Sequence, residues 1–484
     1  MSYVVRNTHS VVQQPVSKTS GVTGKDATRN MARHVASLKY EALPEPLVDL
    51  MKQCVLDTLG VILGASGMAP EGRIAYEYVK SMEGKPESTL LGYGGKAPAA
   101  WATFVNGGLG HMLDYDDTGG GHCSIATIPG AFALAERKGG ISGRDLITAV
   151  AAGTDVITRL DVSIPIPEWT AAEGWFATQL FGFISAAATG GHVLGLNDEQ
   201  MENAMGIGFN QLSGTRQMAA GASTHMRSMQ AGFSGQGGTM AALLAERGMI
   251  GDKDFLEGKY GLFKTYVRTN DPDWDALVGD LGTRFPLLQT HGFKVWPACG
   301  YTRATNTATL KLRRDHKLKP EDVEQITIIG GHSNTQQLSE PVEKKRRPKI
   351  AIDGKFSIPF TTAVMMAKGN VTLRDYTEEG LNDPAVLAMA DRVSYRPVAA
   401  NEERTQFPEV EIKTRDGRVL RHKADSVPGD AKNPVDWDML ETKFRDCISF
   451  SAKPVSKANA DRVIAMVRDL ENQKDATELL KLLS

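Results

Sequence analysis

The segment Val323–Ile329, with the sequence VEQITII, is the first strongly β-type run along this chain. Its β-branched residues and partial alternation of apolar and polar positions predict a strand. A second run, EVEIK at 409–413, alternates strictly and returns at 419–420 after Asp416 and Gly417, a pair that favours a hairpin turn. Helical patterns separate these strands at 301–315, 354–368 and 383–391. This part of the chain is therefore predicted to be an α+β unit.

The sequence on both sides of this unit reads as helix. Leu47 and Met51 begin a series of apolar residues at three- and four-residue spacing, which is typical of a helix packed on one side. We expect a proline of the Pro44-Glu45-Pro46 segment to open this helix and Gly60 and Gly64 to loosen its end. Similar patterns predict further helices at 99–111, 142–160, 176–195, 198–212, 229–247 and 254–260, and later at 439–447 and 458–483.

The length of 484 residues suits a large domain that carries a smaller one. We predict a flexible leader at 1–25, the first part of an all-helical domain at 26–285, an inserted α+β domain at 286–427 and closing helices of the helical domain at 428–484. The predicted fold class is mainly α, with a large all-helical domain built from both chain ends and a smaller α+β insertion.

Composition and charge exclude several classes of partner. The 55 Lys and Arg residues nearly balance 57 Asp and Glu, so the net charge of −2 provides no basic excess for nucleic acid or an anionic membrane surface. The uncharged stretch 175–196 contains too many glycines and polar residues for a helix that faces lipid, and we interpret it as buried. We therefore expect neither nucleic acid nor a membrane as a partner.

Four scattered cysteines, Cys54, Cys123, Cys299 and Cys447, form no CxxC pair. They support neither a zinc ribbon nor a disulfide framework, which indicates a reducing compartment. We expect a cytoplasmic protein, or a mitochondrial one if the source is a eukaryote. The sequence contains no dinucleotide fingerprint after a strand, no P-loop, no HExxH and no GxSxG, so it predicts no cofactor.

The densest group of candidate site residues lies at 111–124, with the sequence HMLDYDDTGGGHCS. Its carboxylates, Asp114, Asp116 and Asp117, repel one another unless cations or hydrogen bonds compensate, and such coupling can separate an acid from a base at neutral pH. His122 follows a triple-glycine loop and is our first candidate for a proton carrier, with Asp114 to orient it. The alternatives are a solvated acidic helix end and a calcium loop, although the EF-hand spacing is not met.

Two further polar clusters offer groups that bind anions. Arg227 lies two residues after His225 in a stretch rich in alanine and glycine; it is able to hold a carboxylate through two hydrogen bonds, and His225 to move a proton. Near the junction of helical and α+β sequence, Lys294 and Arg303 offer positive charge, and Cys299 precedes a predicted helix whose N-terminus favours a thiolate. Each of these residues, taken alone, is also explained by an ordinary structural role.

Six short segments, spread along nearly the whole chain, form a specific combination. They are TRNMAR at 28–33, LDTLG at 56–60, HMLDYDDT at 111–118, KVWP at 294–297, GKFSIP at 354–359 and VPG at 427–429. In this combination the chain resembles the MmgE/PrpD family, which includes 2-methylcitrate dehydratase, cis-aconitate decarboxylase and an iminodisuccinate epimerase.

The resemblance implies an all-α domain from both chain ends, a smaller α+β lid domain, a homodimer, a small carboxylate as substrate and no metal or organic cofactor. It also implies site residues. Asp114, Thr118 and His122 match loop residues that decarboxylase members of the family place at the substrate, and Lys294 matches the family's anion-gripping lysine.

The family's catalytic pattern is only partly present. Phe176 and Cys299 each occupy a position where a histidine is common in the family. Arg227 stands for the lysine and Gln230 for the histidine of a Thr-Lys-x-x-His segment, and Phe360 stands for a tyrosine after Ser-x-Pro. These differences argue against cis-aconitate decarboxylation.

We predict a cofactor-free lyase that acts on a small di- or tricarboxylate, with hydration or dehydration as the reaction, as in 2-methylcitrate dehydratase. His122 would move the proton next to a carboxylate, while Lys294, Arg227 and, less strongly, Arg303 would stabilise the enolate-like charge. This hypothesis requires the segments around His122 and Lys294 to meet across a cleft.

Three alternatives stay open. One is an epimerase or isomerase of a dicarboxylate such as iminodisuccinate, in which the carbanion is reprotonated on its other face. Another is a decarboxylase of the cis-aconitate type. The last is a non-catalytic binding protein, in which Phe176 and Phe360 make the pocket less polar.

Overall fold

The computed structural model describes residues 22–119, 121–164, 174–220, 224–331, 333–398 and 407–484. Most of the leader predicted at 1–25 therefore lies outside the described residues. The described chain divides into a helical unit, 22–292 with Asp436–Ser484, and an α+β unit, Phe293–Val435. The prediction of a mainly α fold with an α+β insertion is confirmed.

The first part of the helical unit consists mainly of helices. They are α1 (Ala27–Ser37), α2 (Glu45–Met68), α3 (Pro70–Ser81), α4 (Ala99–Met112), α5 (Cys123–Lys138), α6 (Gly143–Val162), α7 (Ala177–Leu194), α8 (Asp198–Phe209), α9 (Gln217–Ala220), α10 (Met226–Glu246), α11 (Trp274–Val278) and α12 (Leu287–Thr290). Strands here are only two residues long: β1 (Ser88–Thr89) pairs antiparallel with β2 (Lys96–Ala97), and β3 (Asp117–Thr118) and β4 (Gly292–Phe293) follow.

The segment 254–260, predicted to be a helix, forms turns instead. Asp254 adopts a left-handed backbone with φ of 50°, which a right-handed helix does not accommodate. Among the longer helices of this unit, α1, α3 and α5 were not predicted. In α5, Pro129 lies inside the helix, where sequence patterns treat proline as a breaker.

Glycines let α10 pack closely against both α7 and α4. A Cβ atom at Gly238 of α10 would lie 2.4 Å from Cβ of Ala186 in α7, and one at Gly232 would lie 2.5 Å from the Phe104 carbonyl oxygen in α4. Nearly all of α7 is buried, which accounts for the uncharged stretch in the sequence. Among the described residues, no helix combines the length and the apolar character that a bilayer crossing requires.

The α+β unit contains the strands predicted at 323–329 and 409–420. Its elements are α13 (Arg303–Asp315), β5 (Val323–Ile329), α14 (Ser333–Ser339), α15 (Val342–Arg346), α16 (Ala351–Lys355), α17 (Ile358–Lys368), α18 (Glu378–Leu381), α19 (Pro384–Ala390), β6 (Val393–Arg396), β7 (Glu409–Thr414) and β8 (Val419–Lys423). Strand β6, which was not predicted, is short and pairs parallel to β5.

The four strands form one sheet in the order β6-β5-β7-β8. Strands β7 and β8 form the predicted antiparallel hairpin, and Gly417 in their turn has the positive φ of 89° that favours glycine. Ile326 and Ile328 of β5 pair with Ile412 and Val410 of β7. These four side chains are fully buried and belong to one core with Phe360 of α17, so the sheet is covered by helix on this face.

The chain then returns to the helical unit with α20 (Trp437–Ile448), α21 (Lys457–Arg468) and α22 (Glu478–Leu483). Helix α20 packs on the glycines of α2: a Cβ atom at Gly60 would lie 3.0 Å from the Phe444 ring, and one at Gly64 would lie 2.9 Å from the Cys447 carbonyl oxygen. We expected these glycines to loosen the end of α2, and this expectation is wrong. The helix continues to Met68 because a second helix fits where they lack side chains.

We expected the boundaries between the two units at 285/286 and 427/428. The structure places them a few residues later in the sequence, at 292/293 and 435/436. Leu287 of α12 is buried, and Nε2 of His291 lies 3.2 Å from the Asp117 carboxylate, so 286–292 belongs to the helical unit. At the second boundary, the Phe293 backbone N–H donates a 2.8 Å hydrogen bond to the Gly429 carbonyl. This contact holds the segment that contains Gly429 in the α+β unit.

Arg159 of α6 is fully buried and joins three parts of the helical unit. Its Nε donates to Asp155 Oδ2 at 2.8 Å, its Nη1 donates to the Gly279 carbonyl at 3.0 Å, and its Nη2 donates to the Arg284 carbonyl. The same Asp155 oxygen lies 3.1 Å from Nε2 of His34 in α1. Removing the guanidinium would leave a buried carboxylate without its charged partner.

Replacing Arg159 with leucine is expected to lower the free energy of unfolding by about 3–5 kcal/mol, because Asp155 loses its buried partner. Arg144→Leu, at an exposed arginine near the start of the same helix, is the control and should cost less than about 1 kcal/mol. Urea unfolding followed by circular dichroism measures both. Equal unfolding midpoints for the two variants would contradict the role given to Arg159.

Candidate active site

The loop between α4 and α5 turns its carboxylates into the protein. Asp114, Asp116 and Asp117 are at most 2% exposed. Asp114 and His122 have left-handed backbones, with φ of 49° and 55°, so the chain bends sharply at both ends of the loop. The alternative of a solvated acidic helix end is therefore excluded.

Asp116 bridges two histidines. One of its carboxylate oxygens lies 2.7 Å from Nδ1 of His122, and both lie 3.0 Å from Nδ1 of His111. The two imidazole rings are 5.0 Å apart and nearly perpendicular. Because a carboxylate only accepts, each Nδ1 carries the hydrogen, and a neutral ring then keeps a lone pair on Nε2. His122 is thus held in the tautomer that a base requires.

The surroundings of the two histidines differ: the side chain of His111 is 1% exposed and that of His122 is 11% exposed. Burial lowers the pKa of His111, and the Asp116 carboxylate offsets this effect only in part. His111 is therefore neutral at neutral pH, which leaves the negative charge of Asp116 available to an imidazolium at His122. We expected Asp114 to orient His122, but Asp116 makes this hydrogen bond.

Asp114 instead lies beside Arg227 of α10. The distance from Arg227 Nη2 to Asp114 Oδ1 is 3.5 Å, and the guanidinium lies 5.5 Å from the centre of the Phe176 ring. Arg227 therefore sits between a carboxylate and an aromatic face, both of which stabilise its charge. The structure brings together Asp114, Arg227 and Phe176, which the sequence had singled out separately.

Asp117 forms a second buried network. Its Oδ2 accepts from the Ser124 backbone N–H at 3.0 Å and lies 3.2 Å from Nε2 of His291, which is 3.5 Å from Cys54 Sγ. Burial opposes both charges, yet the Cys54 sulfur and the Asp117 carboxylate raise the pKa of His291 to about 10. The hydrogen bond from His291 in turn keeps the pKa of Asp117 below its usual value, against the effect of burial. We interpret the pair as an ion pair.

Gly119 allows the loop to approach the segment that carries His291. Its φ is 78°, and a Cβ atom there would lie 1.8 Å from the Thr290 carbonyl oxygen. Both the backbone conformation and the close approach exclude other residues. This glycine therefore helps to place Asp117 within reach of His291.

A third buried pair, Asp57 and Lys443, contacts the backbone of the loop. Lys443 of α20 lies 2.6 Å from Asp57 Oδ1 of α2, donates to the Tyr115 carbonyl at 2.6 Å and lies 4.0 Å from the centre of the Tyr115 ring. Burial raises the pKa of Asp57 to about 6, although Lys443 pulls it down. The last part of the chain thus fixes the backbone next to Asp116.

The remaining candidates of the helical unit, Thr118, His225 and Gln230, differ in burial and make fewer contacts that indicate a role. Thr118 is half-buried in the loop, and His225 is exposed just before α10. Gln230 is fully buried one turn after Arg227, and neither polar atom of its side chain has a hydrogen-bond partner in the described part of the chain. His225 is therefore less suited to a buried site than the sequence suggested.

The candidates Lys294, Cys299 and Arg303 belong to the α+β unit. Lys294 is buried, and it follows Phe293, whose carbonyl oxygen would lie 1.8 Å from a Cβ atom at Gly429. The KVWP and VPG segments thus share one close backbone contact. That Lys294 faces His122 remains a prediction.

Arg303 and Cys299 have local roles. Arg303 Nη1 donates to Asp430 Oδ1 at 2.7 Å, so its charge is balanced within its own unit. This pairing argues against the role of a third cation at the substrate. The Cys299 backbone N–H donates to the Lys355 carbonyl at 3.0 Å, which links Cys299 to the GKFSIP segment.

Two family models match the chain, the MmgE/PrpD N-terminal domain over residues 29–275 and the MmgE/PrpD C-terminal domain over residues 296–472. The chain belongs to the MmgE/PrpD family. The resemblance seen in the sequence is thereby confirmed.

Several curated relatives are named for one activity. The cis-aconitate decarboxylase of Homo sapiens is 26% identical over 474 residues, which cover 95% of each chain. The cis-aconitate decarboxylase-like protein oryM of Aspergillus oryzae is 24% identical over 484 residues, covering 95% of this chain and 97% of that protein. The cis-aconitate decarboxylase of Aspergillus terreus is 25% identical over 492 residues, covering 96% of each chain.

The two phenylalanines at MmgE/PrpD pattern positions differ in their surroundings. Phe176 lies next to Arg227 in the helical unit. Phe360 is fully buried in the core of the α+β unit, with its ring 6.2 Å from that of Tyr376. The hypothesis that Phe360 makes a pocket less polar is therefore wrong, because its side chain packs in the core.

Among the described residues, two sets of donor atoms are close enough to share a metal ion: Cys54, Asp117 and His291, and His111, Asp116 and His122. Two ligands at about 2.0–2.1 Å from a tetrahedral zinc ion lie about 3.3–3.4 Å apart. The bridge from Asp116 is shorter, at 2.7 and 3.0 Å, and has hydrogen-bond geometry. In the other set, Nε2 of His291 lies 3.2 Å from Asp117 Oδ2 and 3.5 Å from Cys54 Sγ, distances that also suit hydrogen bonds. Both sets fit hydrogen-bonded networks.

Sequence reasoning overlooked Asp116 as the orienting group and did not consider His111 and His291. His111 and Asp116 were quoted within the loop, but spacing alone does not show which of three neighbouring carboxylates reaches an imidazole. The left-handed backbone at Asp114 rotates that side chain toward Arg227, and no sequence signal marks a non-glycine residue for this conformation.

Replacing Asp116 with asparagine should change the tautomer of His122. In the native protein we expect the Nδ1–H form, because a carboxylate accepts only, whereas an amide also donates and allows the Nε2–H form. Ring ¹⁵N shifts at about pH 8.5, well above the usual histidine range, report the tautomer. Asp114→Asn is the matched control in the same loop and should leave these shifts unchanged. A native Nε2–H ring would refute the assignment.

The His291–Asp117 pair predicts a decline in stability at alkaline pH. The folded protein keeps the His291 proton up to about pH 10, whereas an unfolded histidine loses its proton at about pH 6.5. The stability that this proton contributes is therefore complete below about pH 6.5 and is lost as the pH rises to about 10. The expected slope approaches about 1.4 kcal/mol per pH unit. Urea unfolding between these pH values should show this slope in the native protein and a shallower one in His291→Gln. Parallel slopes would contradict the pairing.

Proposed function

We propose that the protein is a lyase acting on a small tricarboxylate, and that its reaction is the removal or addition of water next to a carboxylate. The observation that carries this proposal is the pair of Asp116 and His122, a buried carboxylate that fixes an imidazole with Nε2 available as a base. Membership of the MmgE/PrpD family and similarity to cis-aconitate decarboxylases along the whole chain support the substrate class.

His122 would act first as base and then as acid. Its Nε2 takes the proton from the carbon next to a carboxylate, and the electron pair of that C–H bond forms the double bond as the β-hydroxyl departs. The proton passes from the imidazolium to the departing hydroxyl, and water leaves. Asp116 stabilises the imidazolium between these steps.

The negative charge that develops on the substrate carboxylate needs a fixed cation. Arg227 supports this role because Asp114 and the Phe176 ring hold its guanidinium in place. A guanidinium does not give up its proton at neutral pH, so Arg227 binds and His122 transfers. We assign Lys294 as a second cation, as the family resemblance implies, while Arg303 is already paired with Asp430.

Decarboxylation of cis-aconitate is the second candidate. The names of the relatives favour decarboxylation, and the similarity to these relatives extends over 95% or more of this chain. In that reaction the His122 imidazolium would give its proton to the carbon that loses carbon dioxide. The non-titrating residues Phe176 and Gln230, at positions where the family pattern has histidines, favour dehydration instead.

The products formed from a set of candidate substrates distinguish these reactions. The purified protein is incubated separately with 2-methylcitrate, citrate, cis-aconitate and iminodisuccinate in D2O, and each substrate is followed by NMR. We expect interconversion of a hydroxy acid and its alkene without loss of carbon. Release of carbon dioxide from cis-aconitate would select decarboxylation, and deuterium exchange without loss of water would select epimerisation. No change in any substrate would refute the proposal and favour a binding protein.

His122→Ala is expected to reduce kcat at least about 100-fold with whichever substrate is turned over, because the proton carrier is lost. His316→Ala, at an exposed histidine of the α+β unit, is the control and should retain native activity. Initial rates at saturating substrate measure both. A His122→Ala enzyme with native kcat would remove His122 from the mechanism.

A homodimer and a cytoplasmic location also remain proposals. The homodimer is supported by apolar side chains exposed on α3 and α10, among them Tyr78 at 55%, Phe233 at 38% and Met240 at 43%. Ring contacts connect Tyr78 to Phe233 through Trp101 and Phe104, so these four rings form one contiguous cluster.

A further inference from the structure

Asp161 lies in the last turn of α6, and the proposed mechanism does not use it. Residues 157–160, which precede it, are all buried, whereas Asp161 is partly exposed. Its carboxylate has no hydrogen bond or ion pair within the described ranges 22–119, 121–164, 174–220, 224–331, 333–398 and 407–484. A partly buried carboxylate at the edge of a core calls for an explanation.

The packing of α6 places Asp161 near the loop that ends in His122. A Cβ atom at Gly121 would lie 3.3 Å from the Ile157 side chain, so the residue before His122 contacts this face of α6. Asp161 follows Ile157 by four residues and therefore lies on the same face, one turn further along. The last turn of α6 thus borders the turn in which His122 precedes α5.

Electrostatics connect the two residues directly. Burial raises the pKa of Asp161 to about 6, and the one charged group that counteracts this shift within the described residues is His122. By linkage, an Asp161 carboxylate must favour the charged form of the His122 imidazole by the same coupling. Other titratable and charged groups belong to the same charge cluster as His122. They are Asp116, which is hydrogen-bonded to Nδ1 of His122, and Asp117, His111 and Arg227.

We propose that Asp161 is a second carboxylate partner of His122, a positioning residue that acts through the imidazole and stabilises it once it has taken up a proton. This inference rests on the proposed role of His122 as proton carrier. Asp116 fixes the tautomer from the Nδ1 side and stays in the core. Asp161 adds negative charge from α6 without a hydrogen bond to the ring, so it changes the basicity of His122 and leaves its orientation unchanged.

The charge of Asp161 also gives the site a pH limit. Because Asp161 has a pKa of about 6, it is a carboxylate at neutral pH and loses its charge as the pH falls through 6. An imidazolium at His122 then loses part of its stabilisation. The two groups are therefore expected to titrate as a coupled pair.

The test follows the ring resonances of His122 against pH in protein without substrate. In Asp161→Asn, the titration midpoint of His122 should fall by about one pH unit, because a charge that favours the imidazolium is lost. Asp161→Glu should restore the native midpoint. Asp145→Asn, the same change about 24 Å away at the start of α6, is the matched control and should have no effect. An unchanged midpoint in Asp161→Asn overturns the inference.

The reciprocal measurement does not depend on the folding of an Asp161 variant. In native protein and in His122→Gln, the side-chain carboxyl ¹³C resonance of Asp161 is followed against pH. We expect Asp161 to titrate at higher pH in His122→Gln, because the imidazolium that favours the carboxylate is gone. Identical titration curves for Asp161 in the two proteins overturn the inference.

Activity then separates this inference from the proposed function. If a tricarboxylate is turned over, the acid limb of kcat/KM in Asp161→Asn should move to lower pH with the His122 midpoint, while KM stays close to native. Turnover with no such movement defeats the inference alone. Absence of turnover with every substrate defeats the proposed function, and the two titrations still decide whether Asp161 and His122 are coupled.

Discussion

The burial of four carboxylates at one place is the constraint on which the rest of the helical unit depends. Asp57, Asp114, Asp116 and Asp117 are all at most 3% exposed. A buried carboxylate is tolerated only when a cation or several donors compensate it. Each compensating group comes from a different helix or helix end, so the helices cannot pack in another way without leaving a charge unpaired.

The partners divide these carboxylates into two kinds. Asp57 and Asp117 are paired with Lys443 and His291 in fully buried pairs, which hold the backbone of the loop. Asp114 and Asp116 face Arg227 and His122, which are less completely buried. The same physical requirement therefore produces a rigid foundation on one side of the loop and groups able to exchange a proton or bind an anion on the other. The residues of the candidate site and the residues that stabilise the fold thus belong to one network.

The architecture was largely predictable because it depends on patterns of apolar residues. Strand β5 and the hairpin of β7 and β8 follow from alternation and from Asp416 with Gly417. Helix α5 and the turn at Asp254 were missed, because Pro129 and a left-handed aspartate contradict local preference. Both are decided by tertiary packing, which local patterns do not contain.

The candidate site was predictable as a stretch of sequence and not as a set of contacts. The loop at 111–124, Arg227 and Phe176 were all identified, yet we expected Asp114 to orient His122, whereas Asp116 makes that hydrogen bond and Asp114 lies beside Arg227. Which of three adjacent carboxylates meets which partner depends on one backbone dihedral at Asp114. The partner His291, far along the chain, and Asp161 on α6 carry no motif at all.

The contribution of α20 also has a consequence for biosynthesis. The ribosome makes the chain from its N-terminus, so Asp57 and its helix emerge long before Lys443, and the whole of Phe293–Val435 is translated in between. Until then, the glycine surface of α2 that receives α20 stays uncovered and Asp57 has no ammonium partner. The larger unit thus reaches its native form only after synthesis of the smaller one, which makes its maturation a late and largely post-translational event.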